Sequence, residues 1–180
     1  MKKGADGTLR ALTANGITHV VGLPDSISAP LFDSVERHPA IRLVTVTREG
    51  EAFAVATGLW IGGASPLVVV QNTGLLESGD ALRGTVLRTG APIPILVTGR
   101  GYTRMRAAGV DPAQPPTPEL FTRVDVDSAA VLTERTLDAW GLAYRTCESD
   151  DDPTEALLDA LEGARELAQP VVLVMARELT

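Results

Sequence analysis

Strand-like and helix-like patterns alternate along the chain, and this alternation restricts the fold more than any single motif does. Short apolar, often β-branched segments predict six strands, at 19–23, 42–47, 67–71, 94–98, 143–145 and 171–175. Amphipathic or small-residue segments predict helices at 7–15 and 28–37, from 49, at 77–88 and from 152. This order is typical of α/β proteins. The sequence therefore predicts one α/β domain over 1–180, built on an open, mostly parallel six-stranded sheet with helices on both faces.

Composition excludes several classes of protein. A net charge of −7 argues against nucleic-acid binding, which needs clustered Lys and Arg. The apolar runs are too short for a transmembrane helix, so no membrane contact is expected. Cys147 is the one cysteine, which fits a reducing cytoplasm, and neither His19 nor His38 stands in a metal-ligand cluster. We expect a cytoplasmic protein whose own residues hold no metal.

The segment 47–58 carries a carboxylate where a predicted strand gives way to a helix. The small residues Ala52, Ala54 and Ala56 would let that helix pack closely. A carboxylate at a helix start is also favoured by the helix dipole, by roughly 0.3–1 kcal/mol. From the residues alone, Glu49 is therefore either a dipole-stabilising residue or a functional group, and Glu51 is the competing carboxylate.

Three other polar segments follow predicted strands, at the sheet edge where ligands bind in such folds. Asp25 or Ser26 could cap the next helix or contact a ligand. The segment 71–73 could shape a tight turn before Gly74 or line a pocket. Arg100 could be a solvated loop charge or a bidentate anion ligand.

Four segments together resemble one enzyme family. A glutamate nine residues before a helical glycine, as Glu49 is before Gly58, resembles the pyrimidine-binding (Pyr) domain of thiamine-diphosphate enzymes. Residues 22–26 (GLPDS) and 71–75 (QNTGL) are similar to the GxPDS and QNSGL turns of phosphonopyruvate and sulfopyruvate decarboxylases. Residues 93–97 (IPILV), followed by 99–101 (GRG), are like the apolar strand and Arg-Gly segment of those enzymes. The matches occur in the family's order.

The resemblance implies a role for each matched residue. Glu49 would be catalytic, through a hydrogen bond to N1′ of the cofactor's pyrimidine ring, and the spacing to Gly58 selects it over Glu51. The cofactor-binding residues would be Glu49, Asn72, Thr73 and Gly74. The substrate-binding residues would be Asp25, Ser26, Gln71 and Arg100.

A complete enzyme of this family also binds the diphosphate through Mg²⁺, at a Gly-Asp-Gly motif that this chain lacks. The resemblance therefore implies the Pyr (alpha) subunit of a split decarboxylase. Its partner would be a diphosphate-binding (PP-domain) beta subunit that holds most of the Mg²⁺ contacts. We expect a hetero-oligomer with Pyr–PP interfaces, active only with that partner.

The sequence departs from the family after Arg100. The segment 99–118 is predicted to be one long irregular loop, and it lacks the histidine that the family carries there. The substrate therefore stays open among 3-substituted pyruvates such as phosphonopyruvate and sulfopyruvate. Two alternatives also stay open: a carboligating, acyloin-forming enzyme subunit and a non-catalytic structural or regulatory Pyr-like subunit.

Overall fold

The fold is a parallel α/β sheet, seen in a computed structural model that describes residues 2–111 and 114–177. Within these ranges the strands are β1 (His19–Gly22), β2 (Arg42–Thr45), β3 (Pro66–Gln71), β4 (Pro94–Thr98), β5 (Ala143–Cys147) and β6 (Val171–Met175). They form one sheet in the order β2-β1-β3-β4-β6-β5. Every pairing is parallel. The predicted fold class is confirmed, and the sheet is wholly parallel rather than mostly so.

The helices of the described chain pack against both faces of this sheet. They are α1 (Lys2–Ala14), α2 (Ala29–Glu36), α3 (Glu49–Ile61), α4 (Asn72–Glu77), α5 (Gly79–Leu82), a π-helical turn (Arg83–Leu87), α6 (Tyr102–Ala107), a 3-10 turn (Leu120–Thr122), α7 (Ser128–Trp140) and α8 (Pro153–Leu167). Two predictions were wrong here. The helix predicted at 77–88 begins earlier, as α4, directly after β3, and the segment 99–118 contains α6 instead of being irregular throughout. Helix α7 had not been assigned.

Two hydrophobic cores lie on opposite faces of the sheet. Helices α1, α2 and α8 cover one core, and α3 to α7 cover the other. In the central strand β3, Leu67 and Val69 belong to the first core, whereas Val68 and Val70 belong to the second. A strand buried on both faces needs apolar side chains at consecutive positions, which is why β3 reads as an unbroken apolar run.

The strand order changes direction at β1. Strand β1 lies between β2 and β3, so the connection after β1 runs to one side of it and the connection after β2 runs back past it to the other side. Helix α2 packs into one core and α3 into the other, so the crossovers flanking β1 lie on opposite faces. Ligands bind at the carboxyl ends of strands at such a switch point. Gly22 keeps the strands close there, because a Cβ added to it would lie 1.8 Å from the Val69 carbonyl oxygen.

Candidate active site

Glu49 is the first residue of α3, four residues after the end of β2. Its side chain is half-buried, and its carboxylate accepts no hydrogen bond from the described residues. The start of α3 is held against α4 by an ion pair between Arg48 and Glu77. The carboxylate therefore sits on a fixed helix end with its acceptor capacity unused.

The Glu49 side chain lies directly over Gly74, in the first turn of α4. A Cβ added to Gly74 would lie 2.3 Å from Cγ of Glu49 and 2.4 Å from its Cδ and Oε1. Real Cβ atoms do not approach so closely, so any side chain at position 74 would displace the carboxylate. Glycine is thus required at position 74 because the Glu49 side chain approaches its backbone closely. Glu49 and Gly74, two of the predicted cofactor residues, are in direct contact.

Glu51 has a different structural role from Glu49. Its carboxylate accepts hydrogen bonds from the backbone N–H of Thr47 at 2.9 Å and of Arg48 at 3.2 Å, which caps the start of α3. The backbone hydrogen bond from Thr47 is the main cause that lowers the pKa of Glu51 below its ordinary value of 4.5. The geometry therefore gives the two carboxylates different roles. Glu51 caps the start of α3, and the Glu49 carboxylate is free to accept a hydrogen bond.

The capping role predicts a specific pH dependence of stability. Because the pKa of Glu51 is lower in the folded chain, its stabilising contribution is complete above about pH 4.5 and disappears as the pH falls through the folded value. We expect Glu51→Gln, which cannot ionise, to lose less of its unfolding free energy than the wild type between pH 7 and pH 3. Urea unfolding at a series of pH values measures this difference. If the unfolding free energies of the two proteins fell by the same amount between pH 7 and pH 3, the capping assignment would be wrong.

The turn between β3 and α4 is closed by its own side chains. Asn72 is fully buried, and its Nδ2 donates to the Arg100 carbonyl oxygen at 2.9 Å and to Thr133 Oγ1 at 3.3 Å. Thr73 Oγ1 donates to Gln71 Oε1 at 2.8 Å. The Asn72 side chain is thus engaged with the protein and fixes the backbone of Arg100 beside the Gly74 turn.

Asp25 forms the turn that follows β1, the structural alternative that the sequence had left open. Its carboxylate accepts from the backbone N–H of Ile27 at 2.6 Å and from the Ser28 hydroxyl at 2.8 Å. It also accepts from the Thr98 hydroxyl at the end of β4, at 2.7 Å. Ser26 is exposed at the tip of this turn. Asp25 therefore ties the carboxyl ends of β1 and β4 together across β3.

Arg100 follows β4 and is held by a residue that the sequence analysis missed. Its Nε lies 3.1 Å from Oδ2 of Asp127, whose Oδ1 accepts the backbone N–H of Ala129 and caps α7. Between them, Gly101 has a φ of +86°, and a Cβ there would lie 2.3 Å from Cβ of Asp127. An Asp-Ser pair before an apolar periodic run is an N-cap signal, and it would have located Asp127.

Among the described residues, the predicted site residues line one edge of the sheet. No group of His, Cys, Asp and Glu in this part of the chain could hold a metal ion. In the same ranges, no helix is long and apolar enough to cross a membrane. Cys147 is buried and free, and burial raises the pKa of its thiol.

A wholly parallel sheet with its polar residues at the carboxyl edge defines a ligand-binding α/β protein. A solved benzoylformate decarboxylase from Polynucleobacter necessarius shares this fold, with a TM-score of 0.67 over 97% of this chain and 30% of that one at 16% identity. Residues 2–113 match the model of the thiamine pyrophosphate enzyme, N-terminal TPP binding domain. The chain therefore belongs to this family, and the predicted Pyr-domain resemblance is confirmed.

Two relatives are similar to this chain over different shares of their own length. A phosphonopyruvate decarboxylase from Streptomyces viridochromogenes is 40% identical over 98 residues, which are 54% of this chain and 25% of that protein. The alpha subunit of a sulfopyruvate decarboxylase from Methanococcus maripaludis is 22% identical over 171 residues, 95% of this chain and 93% of that subunit. The chain thus matches about a quarter of the first relative's length and nearly all of the second's.

Proposed function

We propose that this chain is the Pyr subunit of a two-subunit thiamine-diphosphate-dependent decarboxylase that converts a 3-substituted pyruvate into an aldehyde and carbon dioxide. The whole chain acts as one Pyr domain in this proposal. The observation that carries it is the Glu49 carboxylate, which rests on Gly74 without a hydrogen-bond donor of its own in the described chain. A half-buried acceptor left open at the ligand-binding edge fits a nitrogen of a cofactor ring.

The residues at this edge fit the cofactor's pyrimidine. Glu49 holds or shares a proton with a ring nitrogen, and Gly74 leaves the space that the carboxylate needs. Thiamine diphosphate, when bound, supplies the electron sink for the carbanion that remains after carbon dioxide leaves. The protein's share is orientation: the Arg48–Glu77 ion pair holds the start of the helix that carries Glu49 against α4.

The substrate is proposed from the relatives and from Arg100. Both relatives are named for pyruvates whose third carbon carries a strongly acidic group. Arg100 lies at the same sheet edge as Glu49, and its backbone is tied through Asn72 to the turn that carries Gly74. Ser26 and Gln71 are the other proposed substrate contacts. Both lie at that edge, at the ends of β1 and β3.

The partner is proposed to be a diphosphate-binding subunit that supplies Mg²⁺. Support comes from the methanococcal alpha subunit, which this chain matches along nearly its whole length. Helix α3 adds a surface for it: Ala54, Val55, Gly58 and Ile61 are exposed on the helix that begins with Glu49. A small, apolar and exposed face beside the cofactor site suits close packing by a second subunit.

Calorimetric titration of thiamine diphosphate with Mg²⁺ tests the proposal, using this chain alone and then mixed with the diphosphate-binding subunit. We expect binding only in the mixture. Glu49→Gln should weaken it roughly tenfold or more, since a hydrogen bond to a charged group is worth about 1.5–3 kcal/mol. Glu51→Gln, the same change on the capping carboxylate, should leave the affinity unchanged.

The other possible results of this titration would each reject all or part of the proposal. No binding in either sample would reject the proposal and support a non-catalytic Pyr-like subunit. Equal affinity for wild type and Glu49→Gln would reject the role of Glu49. Once binding is established, product analysis with and without an aldehyde acceptor separates decarboxylation from carboligation.

A further inference from the structure

A polar cavity of about 340 Å³ opens beside Arg100, at the carboxyl ends of β4 and β6. Gly99 after β4 and Ala176 after β6 line it. So do three arginines, Arg100, Arg104 and Arg177, and one carboxylate, Asp127. Its volume is at the lower end of the range for small-ligand pockets, which begins at roughly 300 Å³.

The charges of this cavity do not balance. Arg100 is paired with Asp127 at 3.1 Å, so this pair contributes little net charge. Arg104 and Arg177 then leave two positive charges, in a chain whose net charge is −7. A local excess of positive charge raises the local concentration of anions.

Arg104 is presented without a partner of its own. Its guanidinium makes no hydrogen bond or ion pair with the described residues, and Asp125, a carboxylate that feels its charge, is already paired with Arg123. Helix α6, which carries Arg104, is anchored by Tyr102, a fully buried side chain whose hydroxyl donates to Glu134 at 3.3 Å. The unpaired charge of Arg104 is therefore carried by a helix whose position is fixed.

Arg177 is engaged at only one of its nitrogens. Its Nη1 donates to the backbone carbonyl oxygens of Ser149 at 2.8 Å and Asp151 at 3.0 Å, which are neutral partners. Its Nε is buried and has no acceptor among the described residues. A buried N–H of a charged group that lacks a partner costs free energy unless a ligand supplies one.

We propose that Arg104 and Arg177, together with Arg100, form the subsite for the distal tetrahedral anion of the substrate, a phosphonate or sulfonate. This inference rests on the proposed function, since it identifies the site that takes the substrate's tail. It also changes the role of Arg100: because Asp127 neutralises it, Arg104 and Arg177 supply the net attraction, and Arg100 supplies directional donors.

The first test needs no activity. Methylphosphonate and inorganic phosphate are titrated into the chain alone, and the amide resonances of Gly99 and Gly101 are followed by NMR. We expect saturable shifts, with a Kd at least about tenfold weaker for Arg104→Gln, which removes one charged donor. Arg177→Lys, which keeps the charge but not the planar fork, should also weaken binding.

Arg88→Gln is the matched control, because Arg88 is an exposed arginine in the segment that leads back to the start of β4, at the opposite edge of the sheet. It should change the Kd by less than about twofold, since salt screens an exposed charge at the opposite edge of the sheet. Absence of saturable binding to the wild type would overturn the subsite. So would equal weakening by Arg88→Gln and Arg104→Gln.

The second test uses the complex with the diphosphate-binding subunit. Arg104→Gln should raise KM for phosphonopyruvate about tenfold, while KM for pyruvate, which has no distal anion, and kcat for both stay unchanged. An unchanged KM for phosphonopyruvate in an active complex would overturn the subsite and leave the proposed function standing. Arginine-dependent anion binding to a chain whose complex never binds thiamine diphosphate would reject the proposed function and, with it, the cavity's role as the tail subsite. Inorganic phosphate that binds the complex without competing with phosphonopyruvate would assign the cavity to a free anion and overturn its role as the tail subsite.

Discussion

Glu49→Gln should lower kcat of the complex by about 10²–10⁴-fold, the usual contribution of a positioned acid–base group. The amide has nearly the shape of the carboxylate, so it still fits over Gly74, and no hydrogen bond within the described chain is lost. The melting temperature should therefore stay within a few degrees of the wild type. Carbon dioxide release at saturating substrate, with thermal unfolding of the same samples, measures both quantities.

Glu51→Gln makes the same chemical change two residues further along α3 and should have the opposite profile. Its activity should stay near that of the wild type, and its acid stability should change because Glu51 caps the helix. If Glu49→Gln kept more than a tenth of the wild-type kcat, Glu49 would not be the catalytic carboxylate. If both variants lost activity equally, the effect would come from the start of the helix as a whole.

Gly74→Ala should also abolish most of the activity while leaving the fold intact. The added methyl group would lie within 2.4 Å of the Glu49 side chain, which must swing away. The cost in unfolding free energy should be small, because a flexible side chain can move and because alanine is favoured over glycine in a helix by about 1 kcal/mol. Assays of kcat and of urea unfolding on one preparation separate the two effects.

A double-mutant cycle makes this prediction specific. If Gly74→Ala acts only by displacing the carboxylate, adding it to Glu49→Gln should lower kcat no further. Gly163→Ala in α8 is the control, because a Cβ there meets only Val171 at an ordinary distance of 3.8 Å, and it should leave kcat unchanged. A further large loss in the double variant would show that Gly74 acts independently of Glu49.

Much of the fold could be predicted because its elements are local patterns. Strand β3 is an unbroken apolar run since both of its faces are buried, and Gly16, with a φ of +73°, follows the end of α1 as its position predicted. The wrong helix start at 77 has a local cause. The β3–α4 turn is closed by Asn72 and Thr73 side chains, which had been read only as turn or pocket residues.

The site was predictable in part. Glu49 and Arg100 were predicted from their places after strands together with the family resemblance, but the residues that contact Asp25 and Arg100 come from distant parts of the chain. Thr98 holds Asp25 and Asp127 holds Arg100, and each contact exists only once the sheet has brought the strand ends together. The cavity beside Arg100 is lined by residues of α6 and by residues after β6, which are far apart in the sequence. No spacing of residues along the chain could have predicted it.

Because no side chain fits beneath the Glu49 carboxylate, glycine is required at position 74 only while position 49 keeps a side chain in this place. A protein of this fold that has lost the carboxylate has no steric reason to keep glycine at the second position. One that keeps the carboxylate in this place cannot accept even a methyl group there. Covariation of the two positions would therefore distinguish, in sequences alone, the family members that retain the proposed catalytic contact from those that retain only the scaffold.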